Sequence, residues 1–187
     1  MTPDPHSFSL ETDRLILRPL TQTDAAPLTR LLNDFEVSKW LSRIPYPYGV
    51  IEMQWFIARL NSPYRFGIVH KGTGSIMGVI GIAEHLGYWL GQPHWRHGYM
   101  LEAAQAVVDH WFAHDGLSLA SYHFVENAKS RAILKRLGFE DTQRMRQNCV
   151  ARSEPREAQC MILTRETWSS RQSPDTVPHN TAYDNAH

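Results

Sequence analysis

The stretch that decides the fold is GYWLGQPHWRHGYMLEA, residues 87–103. Its first part has the alternation and the terminal glycine of a short strand, and the apolar positions after Gly98 recur at helical spacing. A strand, a turn and a helix N-terminus therefore meet here. The first N–H groups of a helix have no partner within the helix and carry partial positive charge, so phosphate can bind there. Arg96 and His97 add donors, and Gly98 lets the backbone approach a ligand. Taken alone, such a turn is more often only structural.

The segments on both sides of this stretch alternate between strand and helix patterns. Their order, β-α-α-β-β-β-α-β-α-β-β, predicts a mixed α/β or α+β sheet with helices on its faces. The predicted strands are Arg14–Leu20, Tyr64–His70, Ile76–Ala83, Leu86–Gly91, Leu117–Val125, Phe139–Gln147 and Glu157–Leu163; the predicted helices are 21–35, Gly49–Leu60, one beginning after Gly98, and Asn127–Leu137.

The composition is that of one domain. The chain has 187 residues, 42% of them hydrophobic, which is enough for a sizeable core. We expect the domain to span residues 8–168 and residues 169–187, which contain almost nothing to bury, to form a disordered tail. Nineteen basic and nineteen acidic residues cancel, so no nucleic-acid partner is indicated.

No segment of the sequence suggests secretion or membrane insertion. The first residues lack the pattern of a signal peptide, and no run approaches the roughly 18 apolar residues that span a bilayer. Cys149 and Cys160 allow one disulfide, but a reduced, cytoplasmic protein is the simpler interpretation. His110 and His114 could share a metal ion, yet no third ligand is evident, so no metal is predicted.

A second motif is VENAKSRAILKRLGF, residues 125–139. Asn127 ends a strand and is placed to cap the next helix, and Gly138 suits the end of that helix. Ser130 is then the third residue of the helix, where a hydroxyl usually faces solvent. Each residue has an ordinary structural role when considered alone.

Together, the segments resemble the GCN5-related N-acetyltransferase (GNAT) superfamily, and within it the RimJ/RimL-type ribosomal-protein N-terminal acetyltransferases. LETDRLILRPLTQTDAAPL is similar to the start of that branch, GYWLGQPHWRHGYMLEA to its strand-loop-helix, and NAKSRAILKRLGF to its N-x-x-S…G-F element. The resemblance covers Leu10–Leu163, with the three motifs in the family's order.

This resemblance implies a single-domain acyl-CoA N-acyltransferase fold with a partly split, mostly antiparallel sheet that holds acetyl-CoA in the gap. The amide of Leu90 would donate to the thioester carbonyl, the backbone of residues 96–101 would hold the pyrophosphate, and Asn127 would contact the pantetheine. The cofactor-binding residues expected are Trp89, Leu90, Trp95, Arg96, His97, Gly98, Tyr99, Met100, Leu101 and Asn127. A homodimer would fit the family, although no sequence feature demonstrates one.

Three features depart from the family pattern. Arg96 replaces a usual glycine, which restricts the loop backbone, and Met100 replaces a small residue, which is expected to crowd the cofactor. The connection within GIAEHLGYW is short, and this puts the acceptor in doubt.

The expected reaction is acetyl transfer to a primary amine by direct attack in a ternary complex. About a tenth of an α-amine is neutral at pH 7, against about one lysine amine in 2,500, so a weak base suffices for an N-terminus. Glu84, at a strand end beside the expected cleft, is the candidate base, although a solvated turn carboxylate is an equal interpretation. The resemblance makes Ser130 the candidate acid, because Leu134 occupies the position of the tyrosine that serves many superfamily members.

The acceptor stays open: a protein N-terminus or a small amine such as an amino acid, polyamine or drug. The loop SRIPYPYG, residues 42–49, is either an acceptor wall or a surface cover. The alternatives are a non-catalytic acyl-CoA-binding or regulatory domain and a plain interaction domain.

Overall fold

A mixed sheet organises the part of the chain that the computed structural model describes, residues 8–59, 62–114 and 116–172. Its eight strands lie in the order β1-β2-β3-β4-β5-β6-β8-β7, and every neighbouring pair is antiparallel except β5 and β6. This confirms the predicted mixed, mostly antiparallel sheet. The strands are β1 (Leu10–Glu11), β2 (Leu15–Arg18), β3 (Arg65–His70), β4 (Ile76–Ile82), β5 (Leu86–Leu90), β6 (Ser118–Phe124), β7 (Glu140–Cys149) and β8 (Glu154–Thr164).

The sheet is split between β5 and β6. Their described register is a single pair, Leu86 with Ser121, and the Ser121 hydroxyl donates to the Leu86 carbonyl over 2.9 Å. Beyond this pair each strand continues without pairing to the other, so a gap opens between two central strands. A gap inside a sheet leaves backbone groups free to bind a ligand.

Helices cover both faces of the sheet. The helices are α1 (Ala25–Leu32), α2 (Phe35–Ser38), α3 (Val50–Ala58), α4 (Tyr99–His114), α5 (Ala128–Leu137) and α6 (Arg165–Gln172). On one face α4 and α5 pack against a core that includes Phe66, Met77 and Leu86, and on the other α1 and α3 pack against Val79. No helix in the described ranges is long and apolar enough to cross a membrane.

The single helix predicted for residues 21–35 is wrong in its extent. A 3₁₀ turn covers Gln22–Asp24, α1 ends at Leu32, and α2 is a separate short helix. The Asn33 side chain hydrogen-bonds the backbone of Tyr48 in both directions at 2.8 Å, and the Asp34 carboxylate caps α2. These side-chain bonds to the backbone compete with helical continuation.

The folded part continues past the predicted end at Trp168, because α6 reaches Gln172. The Trp168 ring stacks on Phe112 with centroids 5.4 Å apart, and its Nε1 donates to Asp109 over 2.7 Å. One aromatic anchor and a few hydrogen bonds hold this polar helix, so its sequence carries little hydrophobic signal. Residues 173–187 of the predicted tail lie outside the described residues.

Candidate active site

A cavity of about 650 Å³ opens at the gap between β5 and β6. Both strands contribute to its wall, together with α5, the residues before and at the start of α4, and the segment from Val37 to Ser42. This volume is typical of a pocket for a small molecule. The position follows from the split of the sheet, because neither strand's edge is covered by the other there.

The backbone of β5 presents Leu90 to the gap. The neighbouring amide, that of Gly91, donates to the Met77 carbonyl on β4 over 2.9 Å. Successive residues of a strand direct their N–H groups to opposite sides, so the Leu90 amide faces away from β4 and toward the gap. The Leu90 carbonyl accepts from Trp95 Nε1 at 2.8 Å, which holds the loop against the strand end.

The loop before α4 has two residues in the left-handed region, Arg96 with φ 65° and Gly98 with φ 81°. Arg96 occupies the position where the resembled family has glycine, and it adopts the backbone conformation that favours glycine. The Glu102 amide is bonded to the Gly98 carbonyl at 3.1 Å, so the N–H groups before it open the helix without intrahelical partners. This end of the cavity therefore suits an anion.

Arg14, the residue before β2, holds this loop in place. Its guanidinium donates to the His97 carbonyl over 3.0 Å and forms an ion pair with Glu102 at 2.6 Å. Burial raises the pKa of Glu102, but hydrogen bonds from Thr12 and Arg14 outweigh it and hold the pKa below its usual range. Glu102 is therefore a carboxylate that anchors the loop.

Nine of the ten predicted cofactor-binding residues line the cavity. His97 is the exception among the described residues: its ring stacks on Tyr99 with centroids 5.4 Å apart, outside the lining. Met100 is 7% exposed and packs into the core below the loop; the expected crowding of the cofactor stays a prediction. The nine are Trp89, Leu90, Trp95, Arg96, Gly98, Tyr99, Met100, Leu101 and Asn127.

Asn127 has the structural role that its position predicted. Its side-chain oxygen accepts from the Ser130 amide at 3.1 Å and caps α5. Gly138 ends the same helix with φ 95°. Because Asn127 also lines the cavity, it fixes the orientation of α5 beside the gap.

Ser130 is paired with a tyrosine that sequence reasoning missed. The hydroxyls of Ser130 and Tyr88 lie 2.9 Å apart, and the Tyr88 hydroxyl also lies 3.3 Å from the Ser130 carbonyl. Burial raises the pKa of Tyr88 far above its usual value, and its bond to Ser130 lowers it by less, so the phenol stays protonated. The available signal was its place in YWLG, two residues from Leu90 and on the same face of β5.

Glu84 does not reach the cavity. Its side chain is 83% exposed and lies 3.9 Å from Arg43, and it is not among the lining residues. The next residue, His85, does line the cavity, with its ring 4.7 Å from that of Tyr122. Burial lowers the pKa of His85, and the positive charge of Arg43 adds to this effect. A neutral imidazole, which can accept a proton, thus lies where the sequence suggested a carboxylate.

His123 is a second histidine that the sequence did not single out. It is 4% exposed on β6 and lines the cavity, with Nδ1 2.8 Å from the Phe124 carbonyl. That contact assigns the proton to Nδ1, and Nε2 has no hydrogen-bond partner among the described residues. A buried acceptor without a partner carries an energetic cost that a bound ligand can relieve.

The other end of the cavity is aromatic and apolar. Val37, Trp40 and Leu41 line it, and the Ser42 hydroxyl lies 2.8 Å from that of Tyr122. Of the loop 42–49, Ser42 alone belongs to the described lining, whereas Tyr46 packs on Phe35 at the surface. The apolar wall therefore lies mainly before this loop, for which the sequence left an acceptor wall and a surface cover equally open.

Neither the histidines nor the cysteines form a metal centre in the described part of the chain. His110 and His114 stack on each other with centroids 4.1 Å apart, and no group of three or more His, Cys, Asp or Glu side chains there is placed to hold a metal ion. Cys149 and Cys160 are both free thiols.

Comparison with known proteins decides the family. The family model for the acetyltransferase (GNAT) domain matches residues 14–140, which include β2 to β6 and both motifs. The chain belongs to the GNAT acetyltransferase family. It is therefore an acyltransferase enzyme, and the split sheet is that family's fold.

Relatives of this GNAT acetyltransferase agree with the assignment. The uncharacterised N-acetyltransferase YoaA of Bacillus subtilis is 28% identical over 160 residues, which cover 78% of this chain and 90% of YoaA. A solved GNAT acetyltransferase from Bacillus anthracis superposes with a TM-score of 0.76 at 16% identity, over 85% of this chain and 99% of its own. RimL, a ribosomal alpha-N-protein acetyltransferase solved in complex with coenzyme A, superposes with a TM-score of 0.70 at 18% identity. The superposition covers 84% of this chain and 98% of the RimL chain.

Proposed function

We propose that this GNAT acetyltransferase moves the acetyl group of acetyl-CoA to a primary amine, either a protein N-terminus or a small amine, by direct attack in a ternary complex. The observation that carries the proposal is the continuity of the cavity. One end has the free amides at the start of α4, the middle has the Leu90 amide at the gap, and the far end is an apolar wall. RimL, of similar fold, binds coenzyme A.

The residues present fit acetyl-CoA in order along the cavity. The loop from Arg96 to Leu101 would hold the pyrophosphate, with Lys129 and Arg136 on α5 as further positive charges in the lining. The Leu90 amide would donate to the thioester oxygen, which becomes negative as the amine attacks the carbonyl carbon. No metal is needed for this reaction.

Proton transfer falls to three side chains. His85 would take the proton that the attacking amine loses, since its imidazole is neutral and lines the cavity. Ser130 would give its proton to the sulfur as the carbon–sulfur bond breaks. Tyr88 would donate to the Ser130 oxygen over the 2.9 Å contact and thereby stabilise the charge left on it. Glu84, exposed and beside Arg43, takes no part in this scheme.

The alternative is a GNAT-like domain that binds acyl-CoA without catalysis. One observation favours it: Leu134, at the position of the family's tyrosine acid, is completely buried and presents no hydroxyl. The Ser130–Tyr88 pair supplies hydroxyls elsewhere in the same cavity, which is why we prefer the enzyme. A cytoplasmic location and a homodimer stay predictions.

The test measures binding and turnover separately. Acetyl-CoA should raise the melting temperature under both functions. Release of free coenzyme A with a mixed panel of amines should occur only with the enzyme. Tight binding of acetyl-CoA without release across N-terminal peptides, amino-acid amides, alkylamines, polyamines and aminoglycosides would overturn catalysis in favour of the binding domain.

A further inference from the structure

The acceptor end of the cavity combines an apolar wall with a lack of charged side chains in its described lining. Among the described residues that line the whole cavity, none is Asp or Glu. The formally charged lining residues are all basic: Arg96, Lys129 and Arg136. An acceptor that carries a second ammonium group would find no carboxylate to pair with it inside this part of the cavity.

Three glutamates on neighbouring segments are each paired with a cation, and the Asp34 carboxylate caps α2. Glu84 lies 3.9 Å from Arg43, and Glu36 lies 2.6 Å from Lys39. Glu126 contacts both Arg152 at 2.7 Å and Arg156 at 3.0 Å. These ion pairs offset the charge of the three glutamates and so weaken their attraction for a polycation.

Aromatic rings can also recognise ammonium groups, but the Trp40 ring of this wall already contacts two cations. Lys39 Nζ lies 5.1 Å from the centroid of the Trp40 ring, and the Arg152 guanidinium lies 4.7 Å from it. A cation–π contact with a substrate would have to compete with both. What Trp40 offers an acceptor is apolar surface, together with Val37, Leu41 and Phe124.

We infer that the acceptor is a primary amine attached to an apolar or aromatic body and bearing no second positive charge; this rests on the proposed function. The reacting nitrogen is accommodated because it attacks as the neutral amine; the positive charge that it gains on bonding to the carbonyl carbon is removed when its proton passes to His85. A second ammonium group keeps its charge, and its transfer from water to an apolar wall without a partner is unfavourable. Polyamines and aminoglycosides are thereby excluded, whereas an N-terminus or small monoamine with an apolar group fits.

The experiment uses pairs of amines in which one member carries an additional terminal amino group. Hexylamine is compared with hexamethylenediamine, and norleucinamide with lysinamide, so that one pair tests alkylamines and the other α-amines. The full-length enzyme is saturated with acetyl-CoA, and kcat/KM for coenzyme A release is measured. We expect each monoamine to exceed its partner by at least tenfold. Equal or better use of the diamine and of lysinamide would overturn the inference while leaving acetyl transfer established.

Two substitutions of one residue test whether the missing carboxylate causes the preference for monoamines. Ser42→Asp places a carboxylate at the apolar end, and Ser42→Asn places a neutral group of the same shape there. We expect Ser42→Asp to lower the ratio of kcat/KM for hexylamine to that for hexamethylenediamine by at least fivefold, and Ser42→Asn to leave this ratio unchanged. In both variants acetyl-CoA should still raise the melting temperature. An equal change in both variants would show that charge does not set the preference. Absence of coenzyme A release with every amine, despite acetyl-CoA binding, would instead overturn the proposed function itself.

Discussion

The hydroxyl oxygens of Tyr88 on β5 and Ser130 on α5 lie 2.9 Å apart across the cavity. One residue belongs to the strand that presents the Leu90 amide, and the other to the helix that Asn127 caps. The pair thus couples the two motifs of the sequence at the point where the proposed thiolate would leave. Because burial keeps the Tyr88 phenol protonated, the tyrosine can donate to Ser130 at any physiological pH.

Replacement of Ser130 by alanine should lower kcat by about 100-fold, the lower range for loss of a positioned acid. Tyr88→Phe should cost less, because it removes only the donor to Ser130, and the double variant should match Ser130→Ala, since the two act as a unit. Steady-state coenzyme A release checks this. Acetyl-CoA affinity, measured by calorimetry, should change little in all three. Near-normal turnover of Ser130→Ala would remove serine from the mechanism.

His85 should set the acidic limb of the pH–rate profile. Its pKa lies below the usual value near 6.5, so the neutral base persists to lower pH and activity should fall only below that value. His85→Gln should lower kcat/KM by about 100-fold and lose this limb. The measurement is the dependence of kcat/KM on pH, between about pH 5 and 9, for the wild type and the variant. The same monoamine is used throughout, so the titration of the substrate contributes equally to both profiles. Glu84→Gln is the matched control and should resemble the wild type; a large loss there would restore Glu84 as the base.

The sequence predicted the fold well, because three motifs in order constrain the topology of the whole sheet. The bounds of β3, β4 and β5 follow from alternation and glycine turns, and they differ from the prediction by at most a residue at each end. The break between α1 and α2 was missed because it depends on Asn33 meeting Tyr48, fifteen positions away. Such a contact leaves no periodic signal in the sequence.

The site was predicted less completely, for a similar reason. A backbone role such as the one proposed for Leu90 follows from the position of a residue in a strand, so a motif is enough to indicate it. Side-chain roles depend on which neighbours come together: Glu84 and His85 are adjacent in sequence, yet one is in solvent and the other in the cavity. The Tyr88–Ser130 pair joins residues 42 positions apart, and neither residue alone indicated it.

The Asp24 carboxylate at the start of α1 should contribute measurably to the stability of the folded protein. It is 4% exposed and accepts from both Arg18 nitrogens, at 2.7 and 2.8 Å, and from the Thr21 amide at 2.8 Å. Asp24→Asn should lower the free energy of unfolding by about 2 kcal/mol, within the range for hydrogen bonds to a charged group. Urea denaturation at pH 7 measures it, and Asp13→Asn, at an exposed position, should have little effect.

The stabilisation of the folded state by Asp24 should decrease as the pH is lowered. Burial raises its pKa, but the bonds from Arg18 and Thr21 outweigh this and lower it. A carboxylate whose pKa is lower in the folded state stabilises the protein above its unfolded pKa, near 3.9, and loses this contribution as pH falls through the folded value. The difference between wild type and Asp24→Asn should therefore be constant from pH 7 to about 5 and shrink below about 4. A difference that persists unchanged at pH 2.5 would contradict the assignment.

Arg96 should have opposite effects on stability and on cofactor binding: its backbone conformation is strained, but its positive charge favours acetyl-CoA. Its φ of 65° costs roughly 1–2 kcal/mol for a residue with a Cβ, and glycine would remove that cost while adding about 0.5–1 kcal/mol of unfolded-state entropy. Arg96→Gly should therefore raise the melting temperature by about 2–4 °C. It should also weaken acetyl-CoA binding several-fold, because the guanidinium lines the phosphate end of the cavity.

A second substitution separates these two effects. Arg96→Asn also loses the charge, but asparagine only partly relieves the strain. It should match Arg96→Gly in acetyl-CoA affinity and lie between Arg96→Gly and the wild type in melting temperature. Met100→Ala serves as the contrast, because it empties a buried position and should lower the free energy of unfolding by about 2–5 kcal/mol. Tighter acetyl-CoA binding by Arg96→Gly than by the wild type would mean that the strained backbone, and not the lost charge, governs cofactor affinity.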